Sequence, residues 1–540
     1  MKRKKLNLKK IKPEFLLSLI VLFGLILRLI FYTGYVGSDP QDEGIYINYV
    51  INLLEGRFNF YRYRELLNVE MINPASTKQF ALMLILPSAL FSYLLGVSIF
   101  SLTLWPLLCS LASIVVIYFL GKELFNEKVG LIAAFLLSFY PLNVFYSTRA
   151  QMEMPMLLFS SLSVLFFVRA LKSKKLVELY FFLSGLTFAL SYYVKTRVVI
   201  LLLFYAAYFF YLIYKRRFNW RIFYMVGGFM ILFLIVGSYF YFQSGDFFLA
   251  EHVRMKANQF QIERDPGIKD FWLNPYVHIF NIQSKPFYYL PLIFRQWHHR
   301  REVEYFGYFY FVLLISVLWI LFRKFYHKME LKNFGILFLW FIILFLFLEF
   351  GFLKIELDDQ NSHLNYYMMI KNPRYLVILT PPFLITIAYF LNDLNKNSFK
   401  LGASILIISF LIITSLKCIK SNHEFFTEGT KDLIIASEFL KENPSKTVYV
   451  DYLGLGRLQI MDYSNKGRYK NINSLEREKE FNDSYVILGG SRSVELISKY
   501  VYSLEPEFVK NSKSSWEIAK IISGKKTSWR QKDMIIYCIS

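Results

Sequence analysis

The stretch Ser38–Gly56, SDPQDEGIYINYVINLLEG, follows directly on the first long apolar run of the chain. It sets three carboxylates, Asp39, Asp42 and Glu43, within five residues at the edge of a membrane. It continues with Ile45, Tyr46, Tyr49, Val50, Leu53 and Leu54 at helical spacing, which predicts an amphipathic helix. Acidic side chains at a membrane edge are costly unless they have partners or a task. Asp39–Pro40 also suits the start of a helix, so taken alone the stretch reads equally well as a solvated, N-capped loop. The rest of the chain decides between the two.

That chain is 540 residues long, 55% hydrophobic and 19% aromatic. Such a composition belongs to a polytopic membrane protein and excludes an ordinary soluble domain. The net charge of +22 then points to basic cytoplasmic loops and anionic lipid, and gives no reason to invoke nucleic acid. Cys109, Cys418 and Cys538 form neither a disulfide framework nor a zinc-binding spacing. The basic flank MKRKKLNLKKIK precedes the apolar run Phe15–Phe31, which is long for a signal sequence and lacks a small-residue cleavage site. An uncleaved first span with a cytoplasmic N-terminus is expected.

A bilayer core needs about 20 helical residues. Runs of roughly that length are Phe15–Gly34, Phe100–Leu120, Val129–Phe145, Pro155–Leu171, Leu176–Tyr193 and Val198–Tyr214. They continue with Ile222–Phe242, Tyr305–Phe325, Phe334–Leu353, Tyr375–Leu391 and Leu401–Leu416, eleven in all. Phe80–Leu95 is apolar too, but it contains Pro87. If it does not cross, the loops Gly121–Lys128, Lys172–Lys175, Lys215–Arg221, Arg323–Lys332 and Asn392–Lys400 all fall on the cytoplasmic side, as the positive-inside rule requires. Phe80–Leu95 is therefore expected to lie at the outer face or to re-enter it. The chain divides into a membrane domain over 1–418 and a small extracytoplasmic α/β domain over 419–540. In the latter, Lys431–Leu440 predicts a helix, and Thr447–Val450, Tyr485–Leu488 and Met534–Cys538 predict short buried strands. Its Gly454-Leu-Gly456 lacks the rest of a dinucleotide fingerprint and reads as a turn.

With this topology the unusual polar residues gather on the outer side. The first outer loop carries Asp39, Asp42, Glu43 and Lys78, and the second, YSTRAQMEM, carries Arg149 and Glu153. Arg149 and Glu153 are close enough in sequence to form a structural ion pair. The third is the tight turn Lys195-Thr-Arg197, whose cations suit an anion at the interface or reach for lipid phosphates. Arg374 opens a later span in KNPRYL, and the fourth loop contains RQWHHRRE. His298 and His299 are adjacent, so on a helix they point apart and form no natural metal pair. Cations on one outer cavity would hold a phosphate whose tail stays in lipid, and a carboxylate would take a proton from a nucleophile. The pattern suggests transfer of a group from a lipid-linked phosphate.

At these residues the chain resembles the polytopic GT-C glycosyltransferases that use polyprenyl-phosphate sugars, notably the protein O-mannosyltransferases and the lipid A aminoarabinose transferase. DEGIYINYVINLLEG is similar to the first-loop motif of that class, and the resemblance places the catalytic aspartate on Asp42 with Glu43 beside it. GKELFNEKVGLIAAFLLSFYPL resembles the family's cytoplasmic turn, Glu153 before Met154–Pro155 its second-loop acid, and NPRYLVILTPPFLITIAYFL its late Arg-Tyr-Leu span. The resemblance implies phosphate binding by Lys195, with Arg197 and Arg374, although the family's Thr-Lys-Gly order is altered here. It implies a sugar or acceptor pocket around Asp39, Lys78, Arg149 and Glu153. The fourth loop is too short for the inserted domain of eukaryotic protein mannosyltransferases, and no Trp-Trp-Asp motif of oligosaccharyltransferases is present. The implied activity is inverting transfer of a sugar from a polyprenyl-phosphate donor to a lipid, glycan or protein acceptor, in a multi-pass plasma-membrane protein. A divalent-metal requirement is left open. The rival readings are a transporter or flippase for a lipid-linked anion and a non-catalytic assembly or sensor protein. A transporter would place functional charges within the bundle or on both faces.

Overall fold

The computed structural model describes residues 12–32, 34, 43–56, 80–264, 268–269, 308–327, 334–350, 352–358, 363–368, 373–394, 398–442, 444–450, 458–471, 484–489, 517–522 and 534–539. Among them, eight helices are long and apolar enough to cross a membrane. They include α1 (Pro13–Ile30), and the pair α5 (Glu127–Ser138) and α6 (Pro141–Ser147), bent by 59° at the break, makes a ninth span if counted as one. Leu82–Leu95, Val177–Tyr192 and Phe334–Leu348 are shorter apolar helices. Each of the eleven expected spans thus has a helical counterpart. Large apolar side chains are exposed along several of them, such as Leu202, Phe210, Ile235 and Leu406, as surfaces facing hydrocarbon are.

Helix α2 (Glu43–Leu54) forms where the first-loop periodicity predicts it. It is not half exposed, however: Glu43 to Ile51 are all buried. It sits within the core cluster beside α3 (Leu82–Leu95), so both faces are covered. α3 packs on α4 (Ile99–Leu124), whose start is fixed by a Ser98–Ser101 capping box. Trp105 Nε1 donates to Met83 O, Ser88 Oγ to Leu102 O, and Ser92 meets Ser101. The contacts advance from Met83 to Ser92 along α3 but recede only from Trp105 to Ser101 along α4. α3 therefore packs antiparallel against the first turns of α4.

α4, α7 (Glu153–Lys172), α8 (Val177–Tyr192) and α10 (Tyr224–Ser244) pack in succession, α4 on α7, α7 on α8 and α8 on α10. Apolar packing gives helices in lipid little drive to associate, so small residues and hydrogen bonds do this work. A Cβ on Gly185 of α8 would lie 1.8 Å from Met225 O, and one on Gly228 of α10 2.0 Å from Phe182 O, so these two helices touch backbone to backbone. Ser163 and Ser184 each donate to the other's carbonyl at 2.8 Å, and Tyr205 of α9 (Ile200–Tyr214) joins Ser163 at 2.6 Å. The expected cytoplasmic ends carry their own ion pairs: Arg169–Glu123 at 3.1 Å, Arg221–Glu178 at 3.1 Å, and Arg323 with Asp393.

α11 (Leu249–Arg264) follows α10, and the candidate span α12 (Phe309–His327) and the shorter apolar helix α13 (Phe334–Phe350) come after it. Strands β1 (Ile268–Lys269), β2 (Phe352–Asp358) and β3 (His363–Met368) join the fourth and fifth loops in an antiparallel sheet, order β1-β3-β2. α14 (Thr380–Leu394) is the most buried of the late spans. α15 (Ser398–Lys441) runs 44 residues without a break, across residue 418. At 1.5 Å per residue it is about twice as long as a bilayer core is thick, so it passes from the membrane into the tail. Its last turns pack Ala436 and Leu440 against Val448, Val450, Tyr485 and Ile487. The tail sheet is mixed, β5 (Tyr469–Asn471), β4 (Thr447–Val450), β6 (Ser484–Gly489), β8 (Met534–Ile539) and β7 (Glu517–Ile522) in that order. The three predicted strands are β4, β6 and β8. β5-β4-β6 are parallel and β6-β8-β7 antiparallel.

Candidate active site

Glu43 begins α2 and is 3% exposed. Its Oε1 accepts the Ala150 backbone N–H at 2.9 Å and its Oε2 lies 3.5 Å from Arg149 Nη1. Both donors belong to the loop between α6 and α7. The guanidinium of Arg149 also stacks over the Phe145 ring at 4.5 Å. A buried carboxylate is tolerated when donors engage it in this way. Glu43 thus ties the start of α2 to the loop between α6 and α7.

Four residues after Arg149, Glu153 opens α7, where a carboxylate also suits the helix dipole. It is fully buried, and Lys195 Nζ donates to its Oε1 at 2.8 Å. Arg374 Nε stands 3.8 Å from the same oxygen. Lys195 reaches it from the tight turn between α8 and the 3-10 turn Thr196–Val199, and Arg374 from the 3-10 helix Pro373–Leu379. The ring of Tyr375 lies among the three cations: 3.3 Å from the Arg197 guanidinium carbon, 5.0 Å from Lys195 Nζ and 5.4 Å from Arg374. Burial pushes the Lys195 ammonium below the usual lysine range, while Glu153 pulls it back and Arg374 pushes it further down. Beside these groups a narrow cleft is lined by Lys195, Arg197 and Tyr375 together with Met156, Ile200, Leu348 and Ile378.

The turn that carries Lys195 is braced from behind. Tyr192 OH donates to Glu251 at 2.7 Å, Arg254 donates to both at 3.2 Å, and Met83 N donates to Tyr193 O at 3.3 Å.

Of the residues singled out in the sequence, Glu43 and Arg149 therefore meet, and Glu153, Lys195, Arg197 and Arg374 meet. The two groups are joined by the short loop from Arg149 to Glu153. Arg149 and Glu153 are not each other's ion-pair partners as their spacing suggested. Arg149 precedes the helix that Glu153 begins, so the i,i+4 geometry of a helix does not apply. Asp39, Asp42, Lys78, His298 and His299 lie outside the described residues. Among the described residues no group of three or more His, Cys, Asp or Glu could hold a metal ion. Tyr375 was not singled out, although its neighbour Arg374 was. A tyrosine next to an arginine at the mouth of a span is the signal that would have found it.

Residues 81–240 match the family model of the dolichyl-phosphate-mannose-protein mannosyltransferases. Solved structures superpose over nearly the whole chain. The oligosaccharyltransferase of Archaeoglobus fulgidus in its apo form does so with a TM-score of 0.58 at 13% identity, over 98% of this chain and 75% of that one. The chain has the GT-C fold. ArnT from Cupriavidus metallidurans, which like the oligosaccharyltransferase has the GT-C fold, matches with a TM-score of 0.55 at 12% identity, over 97% of this chain and 98% of that one. Its undecaprenyl-phosphate-bound form matches with a TM-score of 0.52 at 11% identity, over 96% and 97%. Among curated proteins none matches significantly. The family match and the shared GT-C fold bear out the reading of a polytopic membrane glycosyltransferase. The matched residues hold Arg149, Glu153, Lys195 and Arg197.

Proposed function

We propose that this GT-C chain moves a sugar from a polyprenyl-phosphate donor to an acceptor at the outer face of the plasma membrane, with inversion at the anomeric carbon. One observation carries the reading: Lys195, Arg197 and Arg374 gather around the Tyr375 ring, and Lys195, Arg197 and Tyr375 share a narrow cleft with Met156, Ile200, Leu348 and Ile378. Cations beside aliphatic side chains suit a phosphate joined to a hydrocarbon chain. The ArnT structure bound to undecaprenyl phosphate and the Archaeoglobus enzyme in complex with a dolichol-phosphate support it.

In this account the bond between the anomeric carbon and the phosphate oxygen breaks, and the lipid phosphate leaves with the electron pair. Lys195, Arg197 and Arg374 stabilise the charge that develops there. The acceptor oxygen or nitrogen bonds to the anomeric carbon, and Asp42 takes its proton. Glu43 has both oxygens engaged by Arg149 and Ala150, which suits it to hold the first loop in place, so the base falls to the carboxylate before it. Asp39, Lys78, Arg149 and Glu153 shape the sugar and acceptor pocket. The basic turns at the far end of the bundle face the cytoplasm, as does the N-terminus, and the tail domain is extracytoplasmic.

A charge-assisted contact is worth about 1.5–3 kcal/mol. Lys195→Ala should therefore weaken affinity for polyprenyl phosphate, or the rate with its sugar, by at least roughly tenfold. Isothermal titration of the purified protein in nanodiscs with polyprenyl phosphate reads this directly. An affinity equal to wild type would remove Lys195 from the phosphate site and leave it as the structural partner of Glu153.

A further inference from the structure

Arg28 lies in the last turn of α1 and is completely buried. A cation enclosed in a membrane bundle costs several kcal/mol unless it is well bonded, and such residues mark function more often than packing. Among the described residues, the partners of Arg28 are all neutral. Its Nε donates to Ser110 Oγ at 2.9 Å, its Nη1 to Gly24 O at 2.7 Å and to Ser138 O at 2.9 Å, and its Nη2 to Asn143 Oδ1. Ser110 Oγ also donates to Asn143 Oδ1, at 2.5 Å. Gly24 makes the arrangement possible, because a Cβ there would meet Arg28 Nη1 at 3.1 Å and Ile114 Cδ1 at 2.9 Å.

Two of these partners stand on either side of a break. Ser138 is the last residue of α5, and its carbonyl is one of those a helix leaves unsatisfied at its C-terminus, where a cation is also favoured by the dipole. Asn143 is in the first turn of α6. The guanidinium fork thus spans the 59° bend between the two helices. α6 ends at Ser147, just before Arg149 and Ala150, the two donors to Glu43.

We infer that Arg28 is a positioning residue: it sets the α5–α6 angle and so delivers Arg149 and the Ala150 N–H to Glu43, the residue next to the proposed base. This rests on the proposed function only for its effect on turnover. The bend itself is tested without activity. Full-length wild type, Arg28→Met and Asn143→Ala in nanodiscs are compared by hydrogen–deuterium exchange. Peptides covering 141–153 should exchange faster in Arg28→Met by roughly tenfold or more, and by less in Asn143→Ala, with peptides of α8 unchanged. Turnover should fall with it, and Arg28→Met should add little to the loss caused by Glu43→Gln, because both act on one unit. Unchanged exchange over 141–153, acceleration throughout the chain, or additive losses with Glu43→Gln would overturn the inference. If Arg28→Met does not fold, Asn143→Ala decides on the same criteria. Absence of transfer by wild type would sink the proposed function, and the exchange data would still decide the role of Arg28.

Discussion

Asp42→Asn is expected to lower turnover by about a hundred- to ten-thousand-fold, the usual cost of losing a general base, while donor binding stays near the wild-type value. The substitution keeps the shape of the side chain and removes its basicity. Binding is unaffected in this account because the donor phosphate is held by Lys195, Arg197 and Arg374 on other segments. Glu43→Gln should cost less turnover than Asp42→Asn. Its Oε1 can still accept from Ala150 N, and only the charge-assisted contact with Arg149, 3.5 Å away, is weakened. Turnover and polyprenyl-phosphate affinity measured side by side separate these effects. An Asp42→Asn enzyme that keeps more than about a tenth of wild-type turnover would exclude Asp42 as the base. If Asp39→Asn is the inactive variant instead, the first-loop motif is aligned three residues too late.

The second large effect concerns stability. Glu153 is fully buried and is the carboxylate on which Lys195 and Arg374 converge. Removing one partner of such a group strands buried charge and typically costs about 3–5 kcal/mol. Against a total stability of about 5–15 kcal/mol this is a large fraction, so Glu153→Ala should melt well below wild type in detergent. Lys195→Met should offset part of the loss, because it removes one of the stranded cations. The two substitutions should couple by at least about 0.5 kcal/mol in a double-mutant cycle of melting free energies. Strict additivity would mean that the 2.8 Å contact contributes nothing to the fold.

The helical spans were the most legible property of this chain. A bilayer core demands long apolar stretches with their backbone satisfied internally, so the apolar runs had to become helices. Partners were not legible, since Glu43 meets Arg149 and Glu153 meets Lys195 across more than forty residues of sequence, and no periodicity encodes such contacts. The periodicity of α2 gave a helix but the wrong environment: Asn48, off the apolar face, is buried along with it because α2 sits within the core cluster beside α3. Arg28 was overlooked because at the end of an apolar run a cation reads as a flank reaching for headgroups. In the tail, β4, β6 and β8 were visible as short apolar runs. β5 and β7 were missed because they are the sheet edges, where Lys470, Glu517 and Lys520 interrupt the pattern as charged residues commonly do on edge strands.

The central claim is that a polyprenyl-phosphate sugar is consumed here. The most direct test is mass spectrometry of polyprenyl-phosphate sugars extracted from cells that carry wild-type protein, no protein, or the Asp42→Asn variant. The account predicts that one such lipid accumulates in the deletion and accumulates equally with Asp42→Asn, which identifies the donor at the same time. A polyprenyl-phosphate sugar pool identical in all three would contradict it.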